Sequence, residues 1–151
     1  MNWQLKTFAE LTLDQLYDLL QLRNEVFVVE QACPYGDIDG QDRDPQVRHL
    51  LGYDGDRLLA YLRLLPPDMA YPGRACIGRV VTHPDGRGNG LGRRLLAEGL
   101  RHCERCWPQS AIQIGAQAYL QDFYAGYGFV ASSEVYLEDG IPHLHMLRPA
   151  G

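Results

Sequence analysis

Arg87-Gly88-Asn89-Gly90-Leu91-Gly92-Arg93 joins two segments of different period. Upstream, Cys76-Ile77-Gly78-Arg79-Val80-Val81-Thr82 is an apolar, β-branched run halted by His83-Pro84, which predicts a strand. Downstream, Leu91, Leu95, Leu96 and Leu100 recur at helical spacing until Pro108, which predicts a helix over residues 90–106. Glycines let the connecting backbone turn tightly and bring its N–H groups close to a ligand. The helix behind them offers unpaired N–H groups and the positive end of its dipole. Arg87 and Arg93 add charge-assisted donors suited to phosphate oxygens. A diphosphate is the natural guest, and a turn that only caps a helix is the competing reading.

Two familiar phosphate loops are excluded by spacing. The P-loop needs Gly, four residues, then Gly-Lys-Ser/Thr, and no such run occurs. The dinucleotide fingerprint needs a third glycine where Arg93 or Leu95 stands, and an acid about twenty positions on. Residues 111–116 carry no acid. What remains is Arg-x-x-Gly-x-Gly at Arg87, Gly90 and Gly92, preceded by Thr82-His83-Pro84.

Working outward, residues 3–8 read as a short strand. Thr12-Leu13-Asp14-Gln15 fits a capping box, and Leu13, Leu16, Tyr17, Leu20 and Phe27 follow at helical spacing. Residues 33–47 are dominated by Gly, Pro and Asp and read as a long loop, a kind that is often functional. Residues 49–53 and 57–65 form a hairpin at Asp54-Gly55. Residues 111–115 read as a short buried strand, and residues 120–127 as a short helix closed by Gly128. Residues 130–137 and 142–147 form a last hairpin around Asp139-Gly140. The order gives an α/β (α+β) fold with a mixed sheet.

The 151 residues carry no repeat and no linker, so a single domain over residues 1–151 is expected. Apolar residues make up 46% and charged ones 22%, enough for a packed core and too apolar for a disordered chain. No eighteen-residue apolar stretch occurs and the start lacks the pattern of a secretory signal, so the expectation is a cytoplasmic protein with no membrane partner. The formal charge is −5 and no basic stripe exists, which argues against nucleic acid. Four cysteines at 33, 76, 103 and 106 are too few and too irregular for a disulfide scaffold. Cys103 and Cys106 spell C-x-x-C on a helix end without a second pair, so no metal is expected. His143 and His145 alternate on one strand face and read as a half-buried and a surface histidine. No serine elbow or Ser-His-Asp order is present.

The Arg-x-x-Gly-x-Gly run resembles the acetyl-CoA loop of the GNAT N-acetyltransferase superfamily. Gly115-Ala116-Gln117 followed by Phe123-Tyr124-Ala125-Gly126-Tyr127-Gly128-Phe129 resembles that superfamily's second motif. The two motifs stand in register over residues 75–130. Leu22-Arg23, Val26-Phe27-Val28-Val29-Glu30-Gln31, Cys33-Pro34-Tyr35, Asp37-Ile38-Asp39-Gly40 and Glu138-Asp139-Gly140-Ile141-Pro142-His143 are similar to the ElaA family within it. The resemblance implies a largely antiparallel twisted sheet flanked by helices, with acetyl-CoA as co-substrate. The acceptor would be a small-molecule or peptide amine, and the protein a monomer or homodimer.

By that likeness, the backbone of Val80, Val81 and Thr82 would run along the pantetheine arm. The N–H groups of Arg87, Gly88, Asn89, Gly90, Leu91, Gly92 and Arg93 would hold the pyrophosphate. Tyr124 would give its proton to the leaving thiolate. Gln117 stands where the superfamily often has Asn. The strand at residues 76–82 lacks the carboxylate that some members use as a base, so Glu30, His49 or a water chain would take the acceptor's proton. Arg23, Phe27 and Glu30 share one helical face by spacing. With Asp37, Asp39 and Asp42 they resemble the acceptor side of acyl-homoserine lactone synthases. Residues 1–56 hold eleven acids and four bases, so a carboxylate-rimmed site for a cationic amine is expected, with Arg23, Phe27, Asp37 and Asp39 on the acceptor. A longer-chain acyltransferase and a non-catalytic CoA sensor are the alternatives.

Overall fold

The computed structural model describes all 151 residues. The strands are β1 (Asn2–Lys6), β2 (Arg48–Asp54), β3 (Arg57–Leu65), β4 (Ala75–Thr82), β5 (Ile112–Gln117), β6 (Val130–Ala131), β7 (Tyr136–Glu138) and β8 (Ile141–Arg148). They form one sheet ordered β1-β2-β3-β4-β5-β8-β6, with β7 also paired to β8. Every pairing is antiparallel except β4 with β5. The helices are α1 (Leu13–Arg23), α2 (Leu91–Cys106) and α3 (Gln121–Ala125).

The two sides of the sheet bury alternate residues of the same strands. Leu62 and Leu64 of β3 pack with Leu91, Leu95, Leu96 and Leu100 of α2, whereas Tyr61 packs with Leu19, Leu22 and Val26 on the α1 side. Each buried leucine contributes roughly 1.5–3 kcal/mol. Gly99 lets α2 lie close, because a Cβ there would stand 2.6 Å from Leu62 Cδ2. The capping box at Thr12 and Gln15 forms as its sequence predicts. The stripe expected on α1 does not: Leu13 and Tyr17 are 88% and 71% exposed. The chain continues from α1 into a π-helical segment, Asn24–Glu30, in which Gln31 N donates to Val26 O five residues back. The buried face is instead Leu19, Leu22 and Val26, at regular helical spacing, packed on Leu51, Tyr53, Leu58 and Tyr61 of β2 and β3.

The last strand run is also broken. Ser132 N donates to His145 O and His145 N to Ser133 Oγ, so these serines carry the chain over β8 and separate β6 from β7. The β7–β8 hairpin turns at Asp139-Gly140, both with positive φ.

Candidate active site

Strands β4 and β5 pair only at Ala75–Ile112 and Cys76–Gln113. Farther along, β4 is bent by a bulge in which Arg79 and Val80 face the single residue Leu62, with Arg79 at φ 52°. The strands separate and a cleft of about 610 Å³ opens between residues 77–82 and 114–117. On the cleft side the backbone N–H and C=O groups of both strands lack a neighbouring strand. An extended, amide-bearing ligand can pair with them as a strand would.

The glycine loop lies at one end of this opening. Gly88 and Gly90 adopt φ 91° and 80°, and a Cβ at 88, 90 or 92 would meet nothing within 4 Å. The first-turn N–H groups of α2 have no intrahelical acceptor, and no acid stands beside them. An open cradle of donors at a dipole's positive end fits a diphosphate. Gly88, Asn89, Gly90 and Arg93 are exposed at the mouth, while the Leu91 side chain is buried in the core and offers only its N–H. Arg87 is already engaged. Its Nη1 and Nη2 lie 2.8 Å from the two carboxylate oxygens of Glu30, and Nη2 also donates to Thr82 O. The hydrogen bond from Arg87 holds the Glu30 carboxyl below its ordinary range.

Tyr124 of α3 also lines the cleft. Its ring packs edge-on to Phe123 and Phe129, and burial pushes its phenol up to about 12. The hydroxyl has no protein partner and is not sealed in the core, so it opens into the cleft. Val80, Val81, Thr82, Gly92, Phe27 and Gln117 line the same space. Gln117 Nε2 donates to Gln31 Oε1 across it at 3.3 Å.

The acceptor side departs from the sequence expectation. Arg23, the last residue of α1, is fully buried and lies outside the cleft lining, whereas Phe27 and Glu30 line it. Its Nε and Nη1 bind Asp37 Oδ2 at 2.9 Å and Asp42 Oδ1 at 2.8 Å. Arg63 binds Asp39 and Asp42 at 2.9 and 3.1 Å. Arg79 lies 2.8 Å from Asp37 through Nε, an ion contact off the hydrogen-bond line, and 3.4 Å from Asp39. Three carboxylates thus meet three guanidiniums. Burial pushes Asp42 up, but Arg23 and Arg63 outweigh it and hold its carboxyl below the ordinary range. Asp37 and Asp39 therefore brace the loop and supply no free charge for an acceptor.

His49 is also corrected. It is fully buried outside the cleft, with Nδ1 2.7 Å from Tyr61 Oη and Nε2 3.0 Å from Asp42 O. Burial lowers its imidazole below the usual histidine value. Both nitrogens are occupied, so it has no path to an acceptor's proton.

The cleft instead gathers residues from two distant segments, Cys33 and Tyr35 from one, and Glu138, Asp139 and His143 from the other. Cys33 Sγ donates to Asp139 O at 3.6 Å across this junction. Only the alternation of His143 with buried Leu144 and Met146 hinted at its place. The C-x-x-C cysteines play no part in the cleft: Cys103 is buried and its thiol is pushed up to about 12, chiefly by burial.

A model of the acetyltransferase (GNAT) domain matches residues 15–148. The chain belongs to the GNAT acetyltransferase family. This GNAT acetyltransferase is 47% identical to Protein ElaA of Escherichia coli K12 over 148 residues, 98% of this chain and 96% of that protein. The crystal structure of E. coli ElaA matches it with TM-score 0.92 and 46% identity, covering 98% of this chain and 99% of that one. The crystal structure of an acyl-CoA N-acyltransferase from Pseudomonas aeruginosa matches with TM-score 0.93 and 51% identity, covering 97% and 98%. A CoA-dependent acyl-homoserine lactone synthase shares the fold alone, at TM-score 0.70 and 19% identity over 97% of this chain and 82% of that one. The GNAT acetyltransferase is thus an enzyme of the acyl-CoA N-acyltransferase class with an ElaA-type chain. None of its helices is long and apolar enough to cross a membrane.

Proposed function

We propose that this enzyme transfers acetyl from acetyl-CoA to a primary amine, on a small molecule or peptide, by direct attack and without an acyl-enzyme intermediate. The observation that carries the proposal is the splayed β4–β5 opening, which runs beside the glycine cradle and is lined by Tyr124. The backbone of Val80, Val81 and Thr82 takes the pantetheine amides, and the N–H groups of residues 88–93 take the pyrophosphate. The amine nitrogen attacks the thioester carbon, the C–S bond breaks, and Tyr124 protonates the departing thiolate. Holding both reactants in one cleft removes much of the entropic cost of a two-body reaction. Four free cysteines fit a reducing compartment such as the cytoplasm.

The test is a panel of primary amines with acetyl-, butyryl- and octanoyl-CoA, reading free thiol, alongside calorimetry with CoA. Turnover with at least one amine is expected, with kcat/KM highest for acetyl-CoA. CoA binding without turnover of any amine identifies a sensor instead, and a preference for octanoyl-CoA identifies a longer-chain acyltransferase.

A further inference from the structure

An ammonium acceptor must lose a proton before its nitrogen can attack, and the candidates first suggested by the sequence do not serve. Glu30 is tied to Arg87 through both oxygens, and His49 is sealed in the core. Strand β4 offers no carboxylate to the cleft. One imidazole remains in the lining. His143 of β8 stands opposite Gln117 of β5 and Tyr136 of β7, with its side chain 11% exposed.

Its geometry fixes which nitrogen is basic. Nδ1 lies 2.7 Å from the carbonyl oxygen of Ile141. A carbonyl only accepts, so Nδ1 carries a hydrogen, and in the neutral ring the lone pair is then on Nε2. Nε2 lies 3.6 Å from Glu138 Oε2, a carboxylate placed to stabilise the imidazolium that proton uptake creates. The ring stacks on Tyr136 at 6.1 Å and 25°. Tyr136 is itself held over β5 where Gly115 leaves room, since a Cβ there would stand 3.2 Å from its hydroxyl. A base, its orienting carbonyl, its counter-charge and a stacking plate therefore come together at the cleft that Tyr124 also lines.

Resting on the acetyl-transfer reading above, we propose that His143 is the general base of this enzyme, with Glu138 as the counter-charge that stabilises its imidazolium. Nε2 takes one proton from the acceptor ammonium and later releases it to solvent. The freed nitrogen forms the C–N bond, the C–S electron pair leaves on sulfur, and Tyr124 protonates that thiolate. The nitrogen's second proton, shed as the amide forms, restores the Tyr124 phenol. The ionisable groups facing His143 are Glu138, Asp139 and Tyr136 on its own hairpin, with His145 beyond Tyr136. The other ionisable groups of the lining are Glu30, Cys33, Tyr35, Arg79, Arg87, Tyr119 and Tyr124. Of the cleft carboxylates, Glu138 and Asp139 have no guanidinium partner.

The test uses ethylamine, 2-fluoroethylamine and 2,2,2-trifluoroethylamine at pH 7 with acetyl-CoA, a series of similar size and falling basicity. His143→Asn keeps a donor for the Ile141 carbonyl and removes the base. Its kcat/KM for ethylamine is expected to fall by about a hundredfold or more. The deficit should shrink to a few-fold with trifluoroethylamine, which arrives largely deprotonated, and CoA affinity by calorimetry should be unchanged. Glu138→Gln, at an exposed side chain where folding is not at stake, should lower the ethylamine rate about two- to fivefold and spare trifluoroethylamine. A deficit equal across the three amines in both variants overturns the role of His143 while leaving acetyl transfer standing. A parent enzyme that binds no CoA, or turns over none of the amines, overturns the transfer reading and the base together.

Discussion

Burial against Phe123 and Phe129 pushes the Tyr124 phenol up to about 12 while its hydroxyl faces the cleft. The group therefore stays protonated throughout the neutral range and can supply an O–H to a leaving sulfur. Tyr124→Phe keeps the ring and its packing and removes that O–H. General acid assistance is worth about 10²–10⁴ in rate, so kcat should fall at least a hundredfold with CoA affinity by calorimetry unaltered. An unchanged kcat would mean that the thiolate leaves without help from this residue. Arg87 teaches a different lesson at the same scale. Its sequence position beside three glycines suggests a phosphate donor, yet its guanidinium is shared between Glu30 and Thr82 O. On the proposed function, diphosphate recognition would then fall to the backbone N–H groups of residues 88–93.

At the scale of the element, the glycine loop works because α2 begins where β4 has just parted from β5. Gly90 sits at the helix N-cap with φ 80° and open space before it. Gly90→Asp would place a carboxylate in that space, where it accepts the helix's free N–H groups and repels phosphate. Aspartate tolerates the left-handed conformation better than most residues, so the fold should survive. Calorimetry is expected to show CoA affinity reduced by tenfold or more with the far-UV spectrum intact, and parent-like affinity would reduce the loop to a turn. The π-helical segment Asn24–Glu30 continues α1 along the cleft: Arg23, at the end of α1, is buried on Asp37 and Asp42, while Phe27 and Glu30 line the cleft.

Over the whole molecule, the buried ion cluster fastens the loop at residues 33–47 to α1, β3 and β4 through Arg23, Arg63 and Arg79. This arrangement makes stability depend on pH in two stages. His49 titrates near 6.5 when unfolded and is lowered by burial in the fold. The unfolded chain thus binds more protons below that value, and stability is fully present above it and declines as pH falls. His102, also lowered chiefly by burial, adds in the same direction. Asp39 and Asp42 are held below 3.8 despite burial, because arginines outweigh it, and their contribution is lost as pH falls through those lowered values. Urea unfolding of the parent should therefore lose up to about 1.4 kcal/mol per pH unit from His49 below pH 6.5. His49→Gln should flatten the slope between pH 6.5 and 5.5, and an equal slope in both proteins would show that His49 is not the group responsible.

The elements that the sequence determined by itself are those with a local cause. Strand β4, helix α2, the hairpin after β2 and the Thr12 cap follow from side-chain period, turn residues and a hydroxyl three residues from its partner. The glycine cradle is legible for the same reason, since a helix N-terminus and its positive φ values are properties of a few consecutive residues. The exposure of Leu13 and Tyr17 was not legible, because residue spacing sets a helix's period and the sheet decides which face is covered. Asp37, Asp39 and Asp42 look like an open acidic loop until Arg63 and Arg79 reach them from strands more than twenty residues away. Glu138 and His143 enter the cleft beside Cys33 and Tyr35 only because β8 pairs with β5 and brings its hairpin across to the first loop. Charge and basicity depend on what a group faces, and in this protein those neighbours were set by strand order, which only the tertiary structure decided.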